Sequence, residues 1–344
     1  MFELNKLVRS NILSLKPYSS ARDEYQGEAS VFLDANENPF GSFNRYPDPY
    51  QKQLKNILSN NKKIPVENIF VGNGSDEVID LLFRIFCNPG KDKTLTFSPT
   101  YGMYEVSARI NNVETIDVPL DANFQLKVDD ILKIIEEENN LKLIFICSPN
   151  NPSGNSFNSS DVDLIIKSFN GIVIIDEAYI DFSQLPSFIS KINDYSNLVV
   201  SQTFSKAFGL AAARVGVAYA NQSVISLMNK VKPPYNVSEL NQNAASRALL
   251  NIDETKQQIK LILEQREWLK KELQQIQVVK KVYPSDANFL LIEVKDANLI
   301  YQKLIDKNIV VRNRNNVVRD CLRITVGSKT ENEKLINELK KIEL

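Results

Sequence analysis

Short apolar runs alternate along the first two thirds of the chain with stretches in which apolar residues recur every three or four positions. The short runs predict buried strands, and the helically spaced stretches predict amphipathic helices packed against them. Near-continuous apolar strands are typical of a parallel sheet covered on both faces. Strands are predicted at 68–70, 94–97, 141–147, 171–176, 197–201 and 214–220, and helices near 47–59, 76–87, 129–138 and 160–169.

The pattern changes after KPPYNVSEL at residues 232–240. A long, polar-rich helical stretch follows, and after it a shorter mixture of predicted strands and helices. These later segments are the helical stretch 238–276, the apolar run within 283–294, a helix near 296–307, a strand at 309–312, the run 321–327 and a terminal helix.

We therefore predict an α/β protein with two domains. The large domain, residues 41–235, has a mostly parallel sheet covered by helices, and the smaller domain, residues 236–344, is α+β. Residues 1–40 contain several helix breakers and are predicted to form an N-terminal segment that packs with the small domain and the active site.

Composition narrows the class of protein. A net charge of −1 gives no electrostatic reason to expect nucleic acid or an anionic membrane as a partner. The longest apolar runs are too short to span a bilayer, and the N-terminus lacks the apolar core of a secretory signal. The three scattered cysteines are typical of reduced thiols in a cytoplasmic protein.

The chain contains no histidine. This excludes catalytic systems that pair serine or cysteine with histidine, and nearly all catalytic zinc sites. We predict no metal site. Acid–base chemistry must therefore come from lysine, tyrosine, aspartate, glutamate or a cofactor.

A glycine-rich segment, VGNGSDE (71–77), follows the first predicted strand. Gly72 and Gly74 precede a predicted helix, whose first N–H groups and dipole favour phosphate. Ser75 and Asp76 are also ordinary helix caps, so the segment taken alone leaves both interpretations open.

Two further segments follow strands in the middle of the chain. SPNNPSG (148–154) lies where open α/β sheets bind ligands, although Asn151 taken alone favours a simple turn. Asp176 ends a wholly apolar strand and needs a cationic or hydrogen-bonding partner there, unless it caps a helix. Tyr179, three residues later, can reach the same pocket.

The last segment is TFSKAFGLAAARVG (203–216). Lys206 lies after a predicted strand, with Ser205 beside it and Arg214 downstream. A lone lysine in a loop is usually solvated, but this one shares a predicted sheet edge with the other three segments. Together they provide a phosphate cradle, a carboxylate, hydrogen-bond donors and a lysine, which is the set that pyridoxal phosphate requires.

These segments resemble fold-type I pyridoxal-phosphate aminotransferases of classes I and II. Further segments resemble the histidinol-phosphate aminotransferase family in particular, in family order from residue 8 to the C-terminus. They are NILSLKPYSSARDE (11–24), FLDANENPFG (32–41), NRYPDP (44–49), SPTYGMY (98–104) and CLRITVG (321–327).

The resemblance implies roles for individual residues. Lys206 would carry the cofactor as a Schiff base and move the substrate proton, and Asp176 would pair with the ring nitrogen. The resemblance also implies that Asn151 and Tyr179 contact the phenolate oxygen of the cofactor and that Tyr101 packs on its ring. The implied phosphate contacts are Gly74, Ser75, Asp76, Ser205 and Arg214. Tyr46 would reach that phosphate from the other subunit of a homodimer. The implied substrate-facing residues are Tyr18, Asn36, Arg312 and Arg323, with Arg314 and Arg319 as alternatives to Arg312.

The implied reaction is amino transfer between histidinol phosphate or imidazole acetol phosphate and glutamate or 2-oxoglutarate, in histidine biosynthesis. Threonine-phosphate decarboxylase is the nearest alternative, and release of carbon dioxide would distinguish it. An aromatic amino-acid aminotransferase would act on phenylalanine rather than on the phosphorylated amine. A ligand-sensing regulator on the same fold is a third alternative, but it would carry a DNA-binding domain.

Overall fold

Seven strands form one sheet in the structure, a computed structural model that describes residues 2–343 except 20, 22–24 and 26–29. The strands are β1 (Ile69–Asn73), β2 (Lys93–Ser98), β3 (Glu114–Pro119), β4 (Leu141–Cys147), β5 (Ile172–Asp176), β6 (Leu198–Thr203) and β7 (Val215–Ala220). They lie in the order β1-β7-β6-β5-β4-β2-β3. All neighbours are parallel except the two pairs that involve β7, as the apolar strand pattern predicts.

Helices precede and connect these strands. Within the described residues they are α1 (Leu4–Leu7), α2 (Ser10–Ser14), α3 (Lys52–Lys62), α4 (Ser75–Phe86), α5 (Met103–Ile110), α6 (Val128–Glu137), α7 (Ser159–Ser168), α8 (Gln222–Val231) and α9 (Glu239–Leu250). No helix in this part of the chain combines the length and apolar character needed to cross a membrane.

A second, four-stranded antiparallel sheet is formed by the last third of the chain, in the order β10-β11-β9-β8. Its strands are β8 (Val279–Val282), β9 (Phe289–Val294), β10 (Arg312–Asn313) and β11 (Cys321–Thr325). The helices that accompany it are α10 (Ile252–Leu273), α11 (Ala297–Ile305) and α12 (Lys329–Leu339), and the apolar core between them is separate from that of the large sheet.

Alternation along β5 divides the large core into two layers. Ile172 and Ile174 pack in one apolar cluster, whereas Val173 and Ile175 pack in the cluster on the opposite face. Because side chains alternate between the faces of a strand, Asp176 belongs to the face of Ile172 and Ile174. The register of β5 therefore decides which of the two apolar layers contains the Asp176 carboxylate.

Most predicted elements are confirmed within one or two residues, but several are missed or wrong. The pattern missed β3 and β8, because exposed positions interrupt the apolar residues in both strands. The helical stretch 238–276 consists of two helices that meet at Asn251, a residue type that competes with helical hydrogen bonding. The predicted strand at 309–312 is wrong except at its end, because β10 contains only Arg312 and Asn313.

Gly216 lets β7 pass directly beneath the start of α4. A Cβ atom at this position would lie 2.3 Å from the carbonyl carbon of Gly74 and 2.3 Å from the backbone nitrogen of Ser75. Both are backbone atoms, so the first turn of α4 would have to move.

We expect Gly216→Ala to lower the free energy of unfolding by about 1–3 kcal/mol, because the added methyl group overpacks this contact. Gly102→Ala is the matched control, since an added Cβ there meets no atom within 4 Å. Chemical denaturation of both variants measures the difference. Equal stability of the two variants would contradict the proposed close approach.

Candidate active site

The ends of five strands define one edge of the large sheet. β1, β2, β4, β5 and β6 run in the same direction, whereas β7 runs against its neighbours and therefore begins at the edge where the others end. Segments that follow the five strands, and the residue before β7, consequently meet there. A cavity of about 450 Å³ lies at this edge.

Most of the predicted site residues line this cavity: Ser75, Asp76, Tyr101, Asn151, Asp176, Tyr179, Ser205, Lys206, Arg214, Arg312 and Arg323. Gly74 lies against Arg214 at its wall. Three predicted residues do not join them within this chain. Asn36 and Tyr46 line a separate cavity of about 390 Å³, and Tyr18 is 70% exposed.

Asp176 is buried at the end of β5, on the face predicted by strand alternation. Its Oδ2 accepts a hydrogen bond of 2.7 Å from the Tyr104 hydroxyl, and its Oδ1 accepts one of 3.1 Å from the Ala178 N–H. Burial raises the pKa of the Asp176 carboxyl, while both hydrogen bonds oppose that rise. These two donors therefore favour the ionised form.

Tyr104 is a functional residue that the sequence analysis missed. It lies in α5, is fully buried, and its ring stacks on Phe145 at 4.9 Å between centroids. A tyrosine at a helical position among apolar residues indicates core packing, so the pattern gave no separate signal. The available clue was chemical, because a buried tyrosine hydroxyl needs a hydrogen-bond partner.

Lys206 lies in the turn that follows β6 and is exposed at the cavity. Its Nζ is 5.6 Å from the centroid of the Tyr179 ring. Desolvation by the cavity walls lowers the pKa of Lys206, and the charge of Arg323 lowers it further, while Asp176 opposes the shift. A larger share of the amine is therefore neutral than in a solvated lysine.

A chain of hydrogen bonds crosses the cavity from β11 of the small sheet. Arg323 donates from Nη1 to the Asn151 Oδ1 at 2.5 Å, and Asn151 donates from Nδ2 to the Tyr179 hydroxyl at 3.3 Å. Because guanidinium groups only donate, Arg323 orients the Asn151 amide. The Tyr179 hydroxyl hydrogen has no acceptor among the described residues and remains available to a ligand.

The first turn of α4 forms the other end of the cavity. Gly74 has φ +77°, and a Cβ there would lie 2.5 Å from Arg214 Nη2. Arg214 donates to the Asp76 carboxylate at 3.1 Å and to the Ser205 hydroxyl at 3.4 Å. Glycine is therefore required where the arginine crosses the start of the helix.

The segment that contains Asn151 is held by residues before β9. The Asp286 N–H donates to the carbonyl of Gly154 at 2.7 Å, and the Asp286 carboxylate accepts from the Ser156 N–H at 3.1 Å. A Cβ at Gly154, which has φ +86°, would lie 2.7 Å from Ser285 Oγ. These contacts fix the segment on which Asn151 lies.

Glu177 follows Asp176 and points to the opposite face. Its carboxylate accepts hydrogen bonds from Ser187 Oγ at 2.6 Å, the Phe188 N–H at 2.7 Å and Gln202 Nε2 at 2.9 Å. Burial raises the pKa of Glu177 to about 6, and these donors oppose the rise. Glu177 thus fixes the loop after β5 and does not face the cavity.

The residues present fit pyridoxal phosphate. Helix N–H groups, two hydroxyl groups and Arg214 at one end suit a phosphate, with Thr203 as a lining residue that the sequence analysis missed. A buried carboxylate suits a protonated ring nitrogen, and a hydroxyl with a free hydrogen suits a phenolate oxygen. Lys206 provides an amine of lowered pKa in the same cavity.

Known proteins resemble this chain along nearly its whole length. A family model described as aminotransferase class I and II matches residues 22–339. A protein of Christiangramia forsetii named histidinol-phosphate aminotransferase is 52% identical over 347 residues, which cover 99% of this chain and 99% of that protein.

Solved structures share the fold. The histidinol-phosphate aminotransferase from Clostridium acetobutylicum has a TM-score of 0.80 at 26% identity, covering 87% of this chain and 90% of that chain. The protein of that name from Sinorhizobium meliloti, in complex with pyridoxal-5'-phosphate, has a TM-score of 0.80 at 23% identity and covers 89% of each chain. These likenesses confirm the predicted fold-type I class.

We expect Tyr104→Phe to weaken binding of pyridoxal phosphate roughly 10-fold or more, because Asp176 loses a charge-assisted hydrogen bond and is more easily protonated. The dissociation constant can be measured by fluorescence titration of the apoprotein. Tyr219→Phe is the matched control, since Tyr219 is almost as fully buried but is not one of the donors to Asp176.

A double-mutant cycle separates positioning from general packing. In an Asp176→Ala background, Tyr104→Phe should have little further effect on the dissociation constant if the hydroxyl acts through that carboxylate. Additive losses in the double variant would mean that Tyr104 affects binding by another route.

Proposed function

Because the chain belongs to the aminotransferase class I and II family, we propose that it transfers the amino group of histidinol phosphate to 2-oxoglutarate, with pyridoxal phosphate as cofactor. The products would be imidazole acetol phosphate and glutamate. One observation carries the proposal: a lysine, a buried carboxylate and an unusual concentration of arginines line the same cavity.

The cofactor site is proposed from the donors described above. When bound, pyridoxal phosphate supplies an aldehyde for the substrate amine and a protonated ring that stabilises negative charge at the substrate Cα. Asp176 would hold the ring nitrogen protonated, and Ser75, Ser205 and Arg214 would hold the phosphate. Tyr101, whose hydroxyl donates to Asp76 at 3.2 Å, would pack on the ring.

Lys206 is proposed to move the substrate proton. Its lowered pKa increases the fraction of neutral amine, which is the form of Nζ that accepts a proton from the substrate Cα. Once protonated, Nζ would donate that proton to the cofactor carbon that carried the aldehyde. Nζ lies 5.6 Å from the centroid of the Tyr179 ring.

The balance of charge in the cavity favours an anionic substrate. Four arginines line it in addition to Lys206, namely Arg214, Arg312, Arg314 and Arg323, against two carboxylates, Asp76 and Asp176. Arg214 already pairs with Asp76. We propose that Arg323 binds the phosphate of one substrate and the carboxylate of the other in turn, because a guanidinium binds either group through parallel hydrogen bonds.

A homodimer is proposed to complete the site. Tyr46 is half-exposed and stacks on Tyr235 at 4.4 Å in a cavity that also contains Asn36. Since Tyr46 does not line the Lys206 cavity of its own chain, the proposal that it reaches the cofactor phosphate of a second subunit agrees with its position. Tyr18 and Asn36 remain proposed substrate contacts.

A cytoplasmic location is part of the same proposal. Cys87, Cys147 and Cys321 are all buried free thiols. Unpaired buried cysteines are common in proteins of reducing compartments, which supports the proposed location.

The direct test is a single-turnover reaction. We expect wild-type holoenzyme mixed with histidinol phosphate to show a rapid change in cofactor absorbance, and Lys206→Ala to slow it by roughly 10²- to 10⁴-fold or more, because the proton acceptor is lost. Lys167→Ala, which removes an exposed lysine of α7, is the control. Thermal unfolding should show that both variants remain folded.

Other outcomes of this test favour other functions. Reaction of Lys206→Ala at nearly the wild-type rate would refute the role of this lysine. Release of carbon dioxide from threonine phosphate, without transfer from histidinol phosphate, would favour the decarboxylase. Reaction with phenylalanine alone would favour an aromatic aminotransferase.

Mixing two defective homodimers tests the shared site. If Tyr46 acts across the interface, mixtures of Tyr46→Phe and Lys206→Ala should regain activity, because each heterodimer contains one site with both native residues. Mixtures of Lys206→Ala with the Tyr46→Phe/Lys206→Ala double variant are the control and should stay inactive. Absence of recovery after demonstrated subunit exchange would contradict the shared site, provided that Tyr46→Phe alone is clearly impaired.

A further inference from the structure

Three arginines lie on one face of the small sheet. Arg312 of β10 is directly opposite Arg323 of β11 in the antiparallel register. Arg314 lies two residues beyond Arg312, and its N–H donates to the Cys321 carbonyl at 3.0 Å, so it extends the pairing. Alternation along the strand places Arg312 and Arg314 on the same face, and all three side chains line the Lys206 cavity.

This arrangement is unfavourable without a negatively charged partner. Like charges directly opposite each other destabilise a pair of strands. None of the three arginines forms an ion pair with a carboxylate among the described residues, whose arginine ion pairs all involve other positions. Arg323 is partly compensated by Asn151 and by the Phe289 ring, 5.2 Å from its Cζ.

Arg314 has less compensation than Arg323. The Nε of each is buried and has no hydrogen-bond partner in the part of the chain that the structure describes, but only Arg323 also donates from Nη1 to Asn151 and lies over an aromatic ring. Burial, followed by the charges of Arg323 and Arg312, lowers the pKa of Arg314 to about 10, so it is still protonated at neutral pH. A half-buried guanidinium without an acceptor indicates a site for an anion that comes from outside the chain.

Arg319 shows that the clustering is selective. It belongs to the same connection between β10 and β11, but its side chain is 95% exposed and its Nε lies 3.7 Å from the Asp320 carboxylate. Of the two neighbouring arginines that the sequence offers as alternatives to Arg312, only Arg314 lines the cavity within the described residues.

We propose that Arg314 determines specificity for the phosphorylated substrate, by binding the second negative charge that a phosphate monoester has and a carboxylate lacks. The inference rests on the proposed function and refines its anion subsite. A phosphate monoester carries a charge of about −1.5 to −2 at pH 7 and three acceptor oxygens. Arg323 serves either substrate, whereas Arg314 contributes mainly when the dianion is bound.

The test compares two charge-matched variants of the holoenzyme. Arg314→Gln should slow the single-turnover reaction with histidinol phosphate at limiting concentration by roughly 10- to 100-fold, the usual effect of one lost charge-assisted contact. Its reaction with glutamate should change little. Arg319→Gln removes the same charge from the same connection and should change neither reaction.

Inorganic phosphate provides a second readout that does not depend on turnover. Its dissociation constant for the holoenzyme, measured by calorimetry, should rise in Arg314→Gln and not in Arg319→Gln. The cofactor occupies the other phosphate position in the holoenzyme, so this titration reports on the substrate end. If Arg314→Gln does not fold, Arg314→Lys should show the same selective loss to a smaller degree, because it keeps the charge and loses the paired donors.

Two results would overturn the assignment: equal losses with histidinol phosphate and glutamate, or unchanged binding of inorganic phosphate in Arg314→Gln. A wild-type holoenzyme that does not react with histidinol phosphate would instead refute the proposed function. In that case the calorimetric comparison of Arg314→Gln with Arg319→Gln still decides whether Arg314 binds a phosphate anion.

Discussion

Parallel pairing of β4, β5 and β6 is the constraint on which the site depends. The register places Cys147, Asp176 and Ser201 level with one another at the sheet edge. Because successive side chains point to opposite faces of the sheet, Asp176 points to the face of Tyr104 and Glu177 to the opposite face. A shift of one residue would exchange these two acids, since every side chain of a strand changes face together. The different partners of the two acids oppose such a shift, because Tyr104 bonds Asp176 on one face and Ser187 and Gln202 bond Glu177 on the other.

The charged side chains of the cavity differ in how fully hydrogen bonds and opposite charges compensate them. Asp176 accepts hydrogen bonds from donors in α5 and in the backbone, which favour its ionised form against the effect of burial, and Arg214 pairs with Asp76. Arg323 of the small sheet has the Asn151 amide and the Phe289 ring as partners, and no carboxylate among the described residues. The charged groups on the large-sheet side are thus compensated more fully than Arg323, Arg312 and Arg314, and an anion at the small sheet would supply what these three lack.

Sequence reasoning identified the fold class and the residues that follow strand ends, because both depend on local signals. Apolar runs mark buried strands, and glycine, asparagine or a charged residue directly after such a run marks the ligand-binding edge. The sequence did not reveal Tyr104 as a site residue, because core packing alone would also explain a buried tyrosine at this position of a helix. The choice among Arg312, Arg314 and Arg319 depends on the path of a connection whose strand has only two residues. The proposed role of Tyr46 would involve a second chain, and it comes from the family resemblance because no pattern within one chain contains it.

The hydrogen bond from Arg323 to Asn151 joins the small sheet to a loop of the large one. An anion that bound Arg323 at Nη1 would displace this amide, whereas one that bound the buried Nε, which has no partner among the described residues, would leave the link intact. In the first case occupancy of the cavity and attachment of the two sheets would be linked equilibria, each changing the other by the same factor. Which donor of this one guanidinium an anion takes would therefore decide whether the joint between the two sheets is loosened or spared.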